Sequence, residues 1–399
     1  MKRHIVFFGA PYQGHVNPTL PVVADLVSRG CRITYATTEQ FAKQVAATGA
    51  ETIRYESVWP ANRSVPAELS ADELAKGPVQ HLRENIAATE AVERELEGDL
   101  PDLVVYDSLM NFAGRALAEK WERPAAQSVP LLASNEHFSV LQALAGEFPA
   151  FDPQHPALVE FGTKLAEFRL GHGLSAPGPA DFLAAAEDLN VVFVEKEFQP
   201  AAETFDDRYV FVGPGLPAPA DRDPWSPPAS GAPVLLIALG TLFNERPEFY
   251  RACVQAFAGQ PWHVVLATGH VDPADLGDLP PNFEVHRSVP QLAVLERARV
   301  FVTHAGLRST MEALHFGTPM VSVAQSVELD FTARRTAELG LGVRIGRGEV
   351  TPEALRDAVR TADEDLGIRE RVSAVRDRVR AAGGATRAAD AIEAYVRSI

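Results

Sequence analysis

Short runs of apolar residues alternate with longer amphipathic stretches along most of the chain. Residues 5–8, 103–106, 234–238 and 300–303 are runs built mainly from Val, Ile, Leu and Phe. Continuous apolar runs predict strands that are buried on both faces, as in parallel sheets. Strands that alternate with helices indicate an α/β protein with doubly wound parallel sheets.

A proline-rich segment divides the chain. Residues 214–233 hold seven prolines in twenty positions, a composition typical of an extended, semi-rigid linker. The pattern predicts two Rossmann-like domains, at 1–213 and 234–383, that face each other across a cleft. A last helix, at 384–399, could pack back on the N-terminal domain.

Two stretches of the first domain, 59–77 and 130–179, show no regular pattern. Their aromatic residues belong either to the core or to the lining of an apolar pocket.

Composition excludes several classes of protein. The chain has 399 residues, a formal net charge of -16 and two cysteines 222 positions apart. The negative charge argues against electrostatic binding of nucleic acid or of an anionic membrane surface. The cysteines fit neither a disulfide framework nor a zinc ribbon. No signal peptide and no membrane-spanning run of about 18 apolar residues is evident, so we expect a soluble cytoplasmic protein.

The first candidate for chemistry is His15, just after the first predicted strand. Asn17 is a good N-cap and Pro18 a good first residue, which predicts a helix over 18–29. His15 would then lie beside a helix N-terminus, where the dipole disfavours imidazolium and leaves the ring available as a base. The alternative is a histidine that only hydrogen-bonds within the turn.

The second candidate is Asp107, at the end of the apolar run 103–106. If the two strands are neighbours, this carboxylate can orient the ring of His15 and stabilise its protonated form. Asp107 could instead cap a helix predicted over 113–121. No Gly-x-Ser-x-Gly segment accompanies the pair, so a hydrolase triad is not supported.

The densest constellation is the strand, turn and helix at 300–312. Free N–H groups, the helix dipole and Arg308 would make an anion site suited to phosphate. Glu312, one turn further on, could accept hydrogen bonds from ribose hydroxyls, and a second turn at Thr241 could close over the same phosphates. The alternative is a capped helix with a surface arginine.

No metal or dinucleotide motif is convincing. Asp221 and Asp223 match an Asp-x-Asp pattern, but they lie in the linker, without a strand to position them. Neither a Gly-x-Gly-x-x-Gly turn nor a P-loop is present.

Taken together, these motifs resemble the nucleotide-sugar-dependent glycosyltransferases of the GT-B fold, especially the bacterial macrolide glycosyltransferases. The resemblance runs almost from end to end. The segments that carry it are 14–18, 102–107, 211–214, 289–291, 303–306, 317–320 and 383–384.

The resemblance implies roles for individual residues. His15 would be the general base and Asp107 its partner. Contacts are implied to the diphosphate for Thr241, His304, Ser309 and Thr310, to the ribose for Gln291 and Glu312, and to the base for Val289. Gly306 and Glu328 belong to the same donor-binding set, and Arg308, a departure from the family, could add a diphosphate contact or restrict the donor. The implied reaction is a metal-independent single displacement. It would move a sugar from a UDP- or dTDP-sugar to a hydroxyl of a lipophilic natural product, such as a macrolide or polyketide, as a β-glycoside.

Three positions depart from the family pattern. Ser288 stands where a tryptophan often stacks on uracil, and Arg308 stands where small or amide residues are usual. The acid–glutamine pair that holds glucose hydroxyls is Glu328 followed by Leu329. Because leucine cannot bind a hydroxyl, we expect a dTDP-deoxysugar donor rather than UDP-glucose.

Two other functions share this fold. A catalytically idle relative could bind a nucleotide sugar or an aglycone for a partner, but it would have no use for a histidine–aspartate pair. A nucleotide-sugar 2-epimerase would need further acids that the sequence does not clearly supply.

Overall fold

The computed structural model describes residues 3–59, 70–147, 152, 154–176, 186–242 and 244–398. These residues form two compact units. One extends up to Pro217 and includes the segment from Ala382, and the other is Ala218–Ala381. Each unit contains a parallel sheet with helices, so the predicted α/β class is confirmed.

Within the described part of the first unit, the sheet has seven strands in the order β3-β2-β1-β4-β5-β6-β7. These strands are β1 (His4–Phe8), β2 (Arg32–Thr37), β3 (Glu51–Arg54), β4 (Leu103–Asp107), β5 (Ala125–Val129), β6 (Asn190–Val192) and β7 (Tyr209–Phe211). The helices before the boundary are α1 (Gln13–Ser28), α2 (Glu39–Ala46), α3 (Ala71–Glu95), α4 (Asn111–Lys120), α5 (Val140–Gly146) and α6 (Pro156–Gly171). Every residue of β1 and β4 is buried, as expected for strands covered on both faces.

The second unit repeats this plan, with a described sheet of six strands in the order β10-β9-β8-β11-β12-β13. The strands are β8 (Val234–Ala238), β9 (His263–Ala267), β10 (Phe283–His286), β11 (Ala298–Thr303), β12 (Met320–Ser322) and β13 (Gly342–Arg344). The helices are α7 (Pro247–Phe257), α8 (Gln291–Leu295), α9 (Leu307–Phe316), α10 (Val327–Glu338), α11 (Pro352–Glu364) and α12 (Leu366–Ala381).

The last helix, α13 (Gly384–Ser398), packs on α1 in the first unit. Its residues Ile392 and Val396 are buried in the same core cluster as the β1 side chains. Arg29, just after α1, pairs with Asp390 at 2.7 Å and with Glu393 at 3.2 Å. The proline-rich segment is divided between the units, because the boundary lies between Pro217 and Ala218. In its second part, Trp225 donates a hydrogen bond to Glu284.

The prediction that α1 begins at Pro18 with Asn17 as its cap was wrong. The helix begins at Gln13, with Tyr12 as its N-cap and with Pro18 and Pro21 inside it. Each proline removes one intrahelical donor. The apolar face of this helix is buried in the core, and such packing outweighs local propensity.

The prediction that the stretch 130–179 has no regular structure was wrong in part. This stretch contains α5 and α6. Phe161, Leu165 and Phe168 recur at helical spacing and are buried beside residues of α3. Of the predicted apolar lining, residues 60–69, 148–151, 153 and 177–179 lie outside the described residues.

Candidate active site

His15 and Asp107 meet at the carboxyl edge of the first sheet. Strands β1 and β4 are hydrogen-bonded neighbours, with Phe8 beside Tyr106. Asp107 is the last residue of β4, and His15 lies in the first turn of α1, which follows β1. The Nδ1 atom of His15 is 3.0 Å from Oδ1 and 2.9 Å from Oδ2 of Asp107.

This pair is buried, and the Asp107 carboxylate has a second hydrogen-bond donor. His15 is 8% exposed and Asp107 2%, and the N–H of Leu109 donates to Oδ1 of Asp107 at 2.8 Å. Asp107 is therefore both a cap, of the short turn Ser108–Met110, and the partner of His15. Because an ionised carboxylate only accepts hydrogen bonds, Nδ1 carries the proton and the lone pair of Nε2 remains for a substrate.

Sequence reasoning missed the residues that position α1. A Cβ atom at Gly9 would lie 2.4 Å from the hydroxyl of Tyr35, so this glycine is needed for close packing. The Tyr35 hydroxyl is 2.8 Å from Oγ1 of Thr19, which in turn donates to the carbonyl of Val16. Tyr35 and Thr19 are thus buried supports of the helix that carries His15.

In the second unit, His304 is wedged between two glycine turns. Strands β8 and β11 are neighbours, with Ala238 beside Thr303, so the residues that follow them lie close together. A Cβ atom at Gly240 or at Gly306 would lie 2.5 or 2.4 Å from Nε2 of His304. Both glycines are needed for the ring to fit, and Gly240 also has a φ of +73°, which disfavours other residues.

The ring of His304 is neutral near pH 7. Burial lowers its pKa to about 4, against a smaller opposing effect of the Ala238 backbone. Its Nδ1 atom is buried without a hydrogen-bond partner of good geometry among the described residues.

Helix α9 begins directly after the turn that contains His304. Gly306 is its N-cap and supplies no side-chain cap, so the first-turn N–H groups of Leu307, Arg308 and Ser309 lack intrahelical acceptors. Free N–H groups and a helix dipole of this kind favour an anion at such a position.

Thr310, for which the resemblance implies a diphosphate contact, has a side chain that faces the interior of its unit. It is fully buried, its N–H donates to the carbonyl of Gly306 at 2.9 Å, and its hydroxyl has no hydrogen-bond partner among the described residues. The packing of α9 against its unit therefore turns this hydroxyl inward.

Four predicted residues form one polar cluster at the start of α9. Nε2 of Gln291 donates to Oε2 of Glu312 at 2.6 Å and to Oγ of Ser309 at 3.2 Å. Nη2 of Arg308 lies 2.8 Å from Oε1 of Glu312, which is 2% exposed. The predicted phosphate ligand Arg308 is therefore paired with the predicted ribose ligand.

The remaining predicted residues follow other strands of this sheet. Thr241 is exposed after β8, Val289 is half-buried after β10, and Glu328 is exposed in the first turn of α10, after β12. Because the strands are parallel, these positions share the sheet's carboxyl edge, where ligands of such sheets bind. Leu329 packs instead on a small cluster of Ala305, Ala324 and Ala333.

No group of three His, Cys, Asp or Glu side chains able to hold a metal ion occurs among the described residues. Over the same ranges, no helix has the length and apolarity needed to cross a lipid bilayer.

The second unit should lose stability as the pH falls from about 6.5 to about 4. Burial lowers the pKa of His304 and of His315 to about 4, and Arg380 and Arg222 add to the effect at His315. The folded state then binds fewer protons than the unfolded state, so acid favours unfolding. We expect H315Q to lose roughly 2–4 °C less in Tm between pH 7.5 and pH 5 than the wild type.

The matched control for that measurement is H270Q, which changes an exposed histidine of the same unit. An equal loss of Tm in H315Q and the wild type would contradict the role of His315.

A buried histidine–aspartate pair and a helix start with uncapped N–H groups, on two parallel-sheet units, are the arrangement expected of a nucleotide-dependent group-transfer enzyme. Comparison with known proteins narrows this class. Residues 256–394 match the family model "Erythromycin biosynthesis protein CIII-like, C-terminal domain". The NDP-glycosyltransferase YjiC of Bacillus licheniformis is 38% identical over 99% of this chain and 98% of its own length.

Two further proteins are similar over nearly the whole chain. The demethyllactenocin mycarosyltransferase of Streptomyces fradiae is 37% identical over 98% of this chain and 86% of its own length. The crystal structure of CalG4, the calicheamicin glycosyltransferase, superposes with a TM-score of 0.88 at 41% identity, covering 100% of this chain and 99% of that one. The chain belongs to the GT-B nucleotide-sugar-dependent glycosyltransferases of the natural-product type, which confirms the predicted family and fold.

Proposed function

We propose that this glycosyltransferase moves a sugar, with inversion and without a metal, from an NDP-sugar to a hydroxyl of a lipophilic natural product, such as a macrolide or polyketide. The observation that carries the proposal is the buried contact between Nδ1 of His15 and Asp107. It leaves Nε2 as a base at the carboxyl edge of the first sheet.

The chemistry is a single displacement. Nε2 of His15 takes the proton of the acceptor hydroxyl while that oxygen forms a bond to the anomeric carbon. The bond from this carbon to the diphosphate breaks on the opposite face, so an α-linked donor becomes a β-glycoside. Asp107 stabilises the imidazolium, and the nucleoside diphosphate leaves with the electron pair.

The second unit supports the departure of the diphosphate. The uncapped N–H groups of Leu307, Arg308 and Ser309 are fixed in position before the reaction, so they stabilise the developing charge without reorganisation. We assign the ribose hydroxyls to Gln291 and Glu312, whose side chains are joined by a hydrogen bond of 2.6 Å.

The names of relatives favour a natural-product acceptor. The Streptomyces fradiae relative is named a demethyllactenocin mycarosyltransferase, and CalG4 is named a calicheamicin glycosyltransferase. The alternative of an idle binding protein is disfavoured because His15 and Asp107 are both present and in hydrogen-bond contact.

The environment of Leu329 favours a deoxysugar donor, most simply a dTDP-deoxysugar. Its side chain packs on alanines beside the His304 turn and offers no hydrogen bond. A sugar hydroxyl buried against it would lose its hydrogen bonds to water, which costs about 1–3 kcal/mol.

The proposal is tested by incubating the enzyme with a panel of nucleotide sugars and a mixed panel of macrolide and polyketide aglycones, with products read by mass. Proton coupling at the anomeric carbon then reports the configuration, and treatment with a chelator tests the need for metal. Retention of the α configuration, or activity only with added metal, would refute the proposed mechanism.

Replacing Leu329 by glutamine should shift donor choice towards a fully hydroxylated sugar. Glutamine can donate to and accept from sugar hydroxyls, so we expect the rate with UDP-glucose relative to a dTDP-deoxysugar to rise about tenfold. Competition between the two donors measures the change, and L329M serves as the apolar control. Faster turnover of UDP-glucose than of every dTDP-deoxysugar by the wild type would contradict the premise.

A further inference from the structure

Asn85, in the middle of α3, is a fully buried amide whose hydrogen-bonding groups all have partners. Its Nδ2 atom donates to the carbonyl of His81 at 2.7 Å and to the carbonyl of Leu109 at 2.8 Å. Its Oδ1 atom accepts a hydrogen bond from the backbone N–H of Ala113 at 3.0 Å. The side chain therefore joins α3 to the segment that follows β4.

One of these bonds caps α4 from a different helix. Ala113 lies in the first turn of α4, where the backbone N–H groups have no intrahelical acceptors. The N-cap residue of α4, Met110, provides no side-chain cap. Asparagine is a preferred capping residue because its amide oxygen accepts from such N–H groups, and here Asn85 supplies that oxygen from α3.

The position of Asn85 within α3 agrees with this role. Asparagine is unfavourable inside a helix, because its side chain competes for hydrogen bonds with the backbone. Asn85 is nevertheless eleven or more residues from the other helices in the chain order, and its two bonds beyond α3 reach residues 24 and 28 positions away. These tertiary contacts, and not local propensity, account for its place in the helix.

Leu109 links Asn85 to the histidine–aspartate pair. Its carbonyl accepts from Asn85, and its N–H donates to Oδ1 of Asp107 at 2.8 Å. The same Oδ1 atom is 3.0 Å from Nδ1 of His15. Both backbone polar groups of Leu109 are thus fixed, one by α3 and the other by the carboxylate.

We propose that Asn85 is a positioning residue for sugar transfer, which holds the turn Ser108–Met110 so that Asp107 keeps its contact with His15. The inference rests on the proposed roles of His15 and Asp107. Asn85 is buried and acts only through Leu109 and the start of α4. A displacement of about 1 Å in a catalytic group can slow a reaction by about 10²-fold, so the restraint matters for the rate.

The test compares kcat, the KM for each substrate and Tm between the wild type and N85L. Leucine has nearly the shape of asparagine, but it can neither donate to Leu109 nor accept from Ala113. We expect kcat to fall by about 10–100-fold, because the orientation of the Asp107 carboxylate is lost. The KM for the donor should stay nearly unchanged, since the nucleotide contacts that we propose lie in the second unit.

N190L is the matched control for the loss of a buried amide. Asn190 is also fully buried in the first unit, and its Nδ2 atom donates to the carbonyls of Glu187 at 2.7 Å and Arg208 at 3.3 Å. Its Oδ1 atom accepts from the N–H of Glu187 at 3.1 Å. These partners precede β6 and β7, so N190L should lower Tm as N85L does but keep the wild-type kcat.

Combining N85L with D107N separates positioning from a general loss of structure. If Asn85 acts through Asp107, N85L should lower kcat by less than about twofold in the D107N background, because residues that act as a unit are not additive. Should N85L fail to fold, N85S serves in its place, since its hydroxyl is one atom shorter than the amide.

Three results would overturn the inference: a wild-type kcat in the Asn85 variant, an equal loss of kcat in N190L, or a full additional loss when the variant is combined with D107N. Full activity of D107N alone would instead refute the proposed role of Asp107.

Discussion

Sugar transfer by H15A should be slower than in the wild type by about 10²–10⁴-fold, while nucleotide binding is retained. General-base catalysis contributes about this factor, and Nε2 of His15 is the lone pair that the pairing with Asp107 leaves available. The nucleotide contacts that we propose lie in the second unit, so they do not depend on this ring. Single-turnover rates with saturating donor and acceptor measure the loss, and calorimetry with a nucleoside diphosphate measures binding.

The alanine variant also leaves Asp107, 2% exposed, without its imidazole partner, so its stability should fall as well. H15Q separates the two effects, because the glutamine amide can donate to the carboxylate but cannot act as a base. We expect H15Q to be more stable than H15A and equally slow. Transfer at the wild-type rate by H15Q would exclude His15 as the base.

The second large effect is expected for D107N, again a loss of about 10²–10⁴ in kcat with little change in donor affinity. The carboxylate holds the proton on Nδ1, whereas an amide can donate to Nδ1 and shift the proton to Nε2. The atom that should accept the proton of the acceptor hydroxyl is then already protonated. The pH profile of kcat, together with a separate KM for each substrate, distinguishes this effect from a structural one.

D102N is the matched control, at the other end of the same strand. Oδ2 of Asp102 accepts from the backbone N–H of His4 at 2.8 Å, a structural contact remote from the carboxyl edge. It should alter thermal stability slightly and leave kcat unchanged. If D107N kept full activity, or D102N lost as much as D107N, Asp107 would have only a structural role.

The local pattern of apolar and polar residues was sufficient to predict the architecture and the positions of several candidate site residues. Continuous apolar runs such as those of β1, β4 and β8 indicate buried parallel strands. A strand that is covered on both faces has no solvent-exposed positions, so polar residues do not alternate with apolar ones. The segments that follow several of the strands carry the candidate site residues. His15 and Asp107 could be paired in advance because a doubly wound order places the two strands side by side.

Helix boundaries were less predictable. Asn17 and Pro18 form a good local start signal, yet α1 begins at Gln13 because burial of its apolar face outweighs two internal prolines. The helical spacing of Phe161, Leu165 and Phe168 was present in the sequence, and it could have revealed α6.

The sequence by itself determined the class of this protein, the two parallel sheets and the positions of its candidate site residues, because these depend on periodicity and on the residues that end each strand. Only the tertiary structure decided which polar groups are partners. It turned Thr310 inward, wedged His304 between Gly240 and Gly306, and placed Arg308 against Glu312. Such pairings depend on burial and on distances of a few ångströms between segments remote in the chain or on adjacent turns, and residue order alone does not specify them.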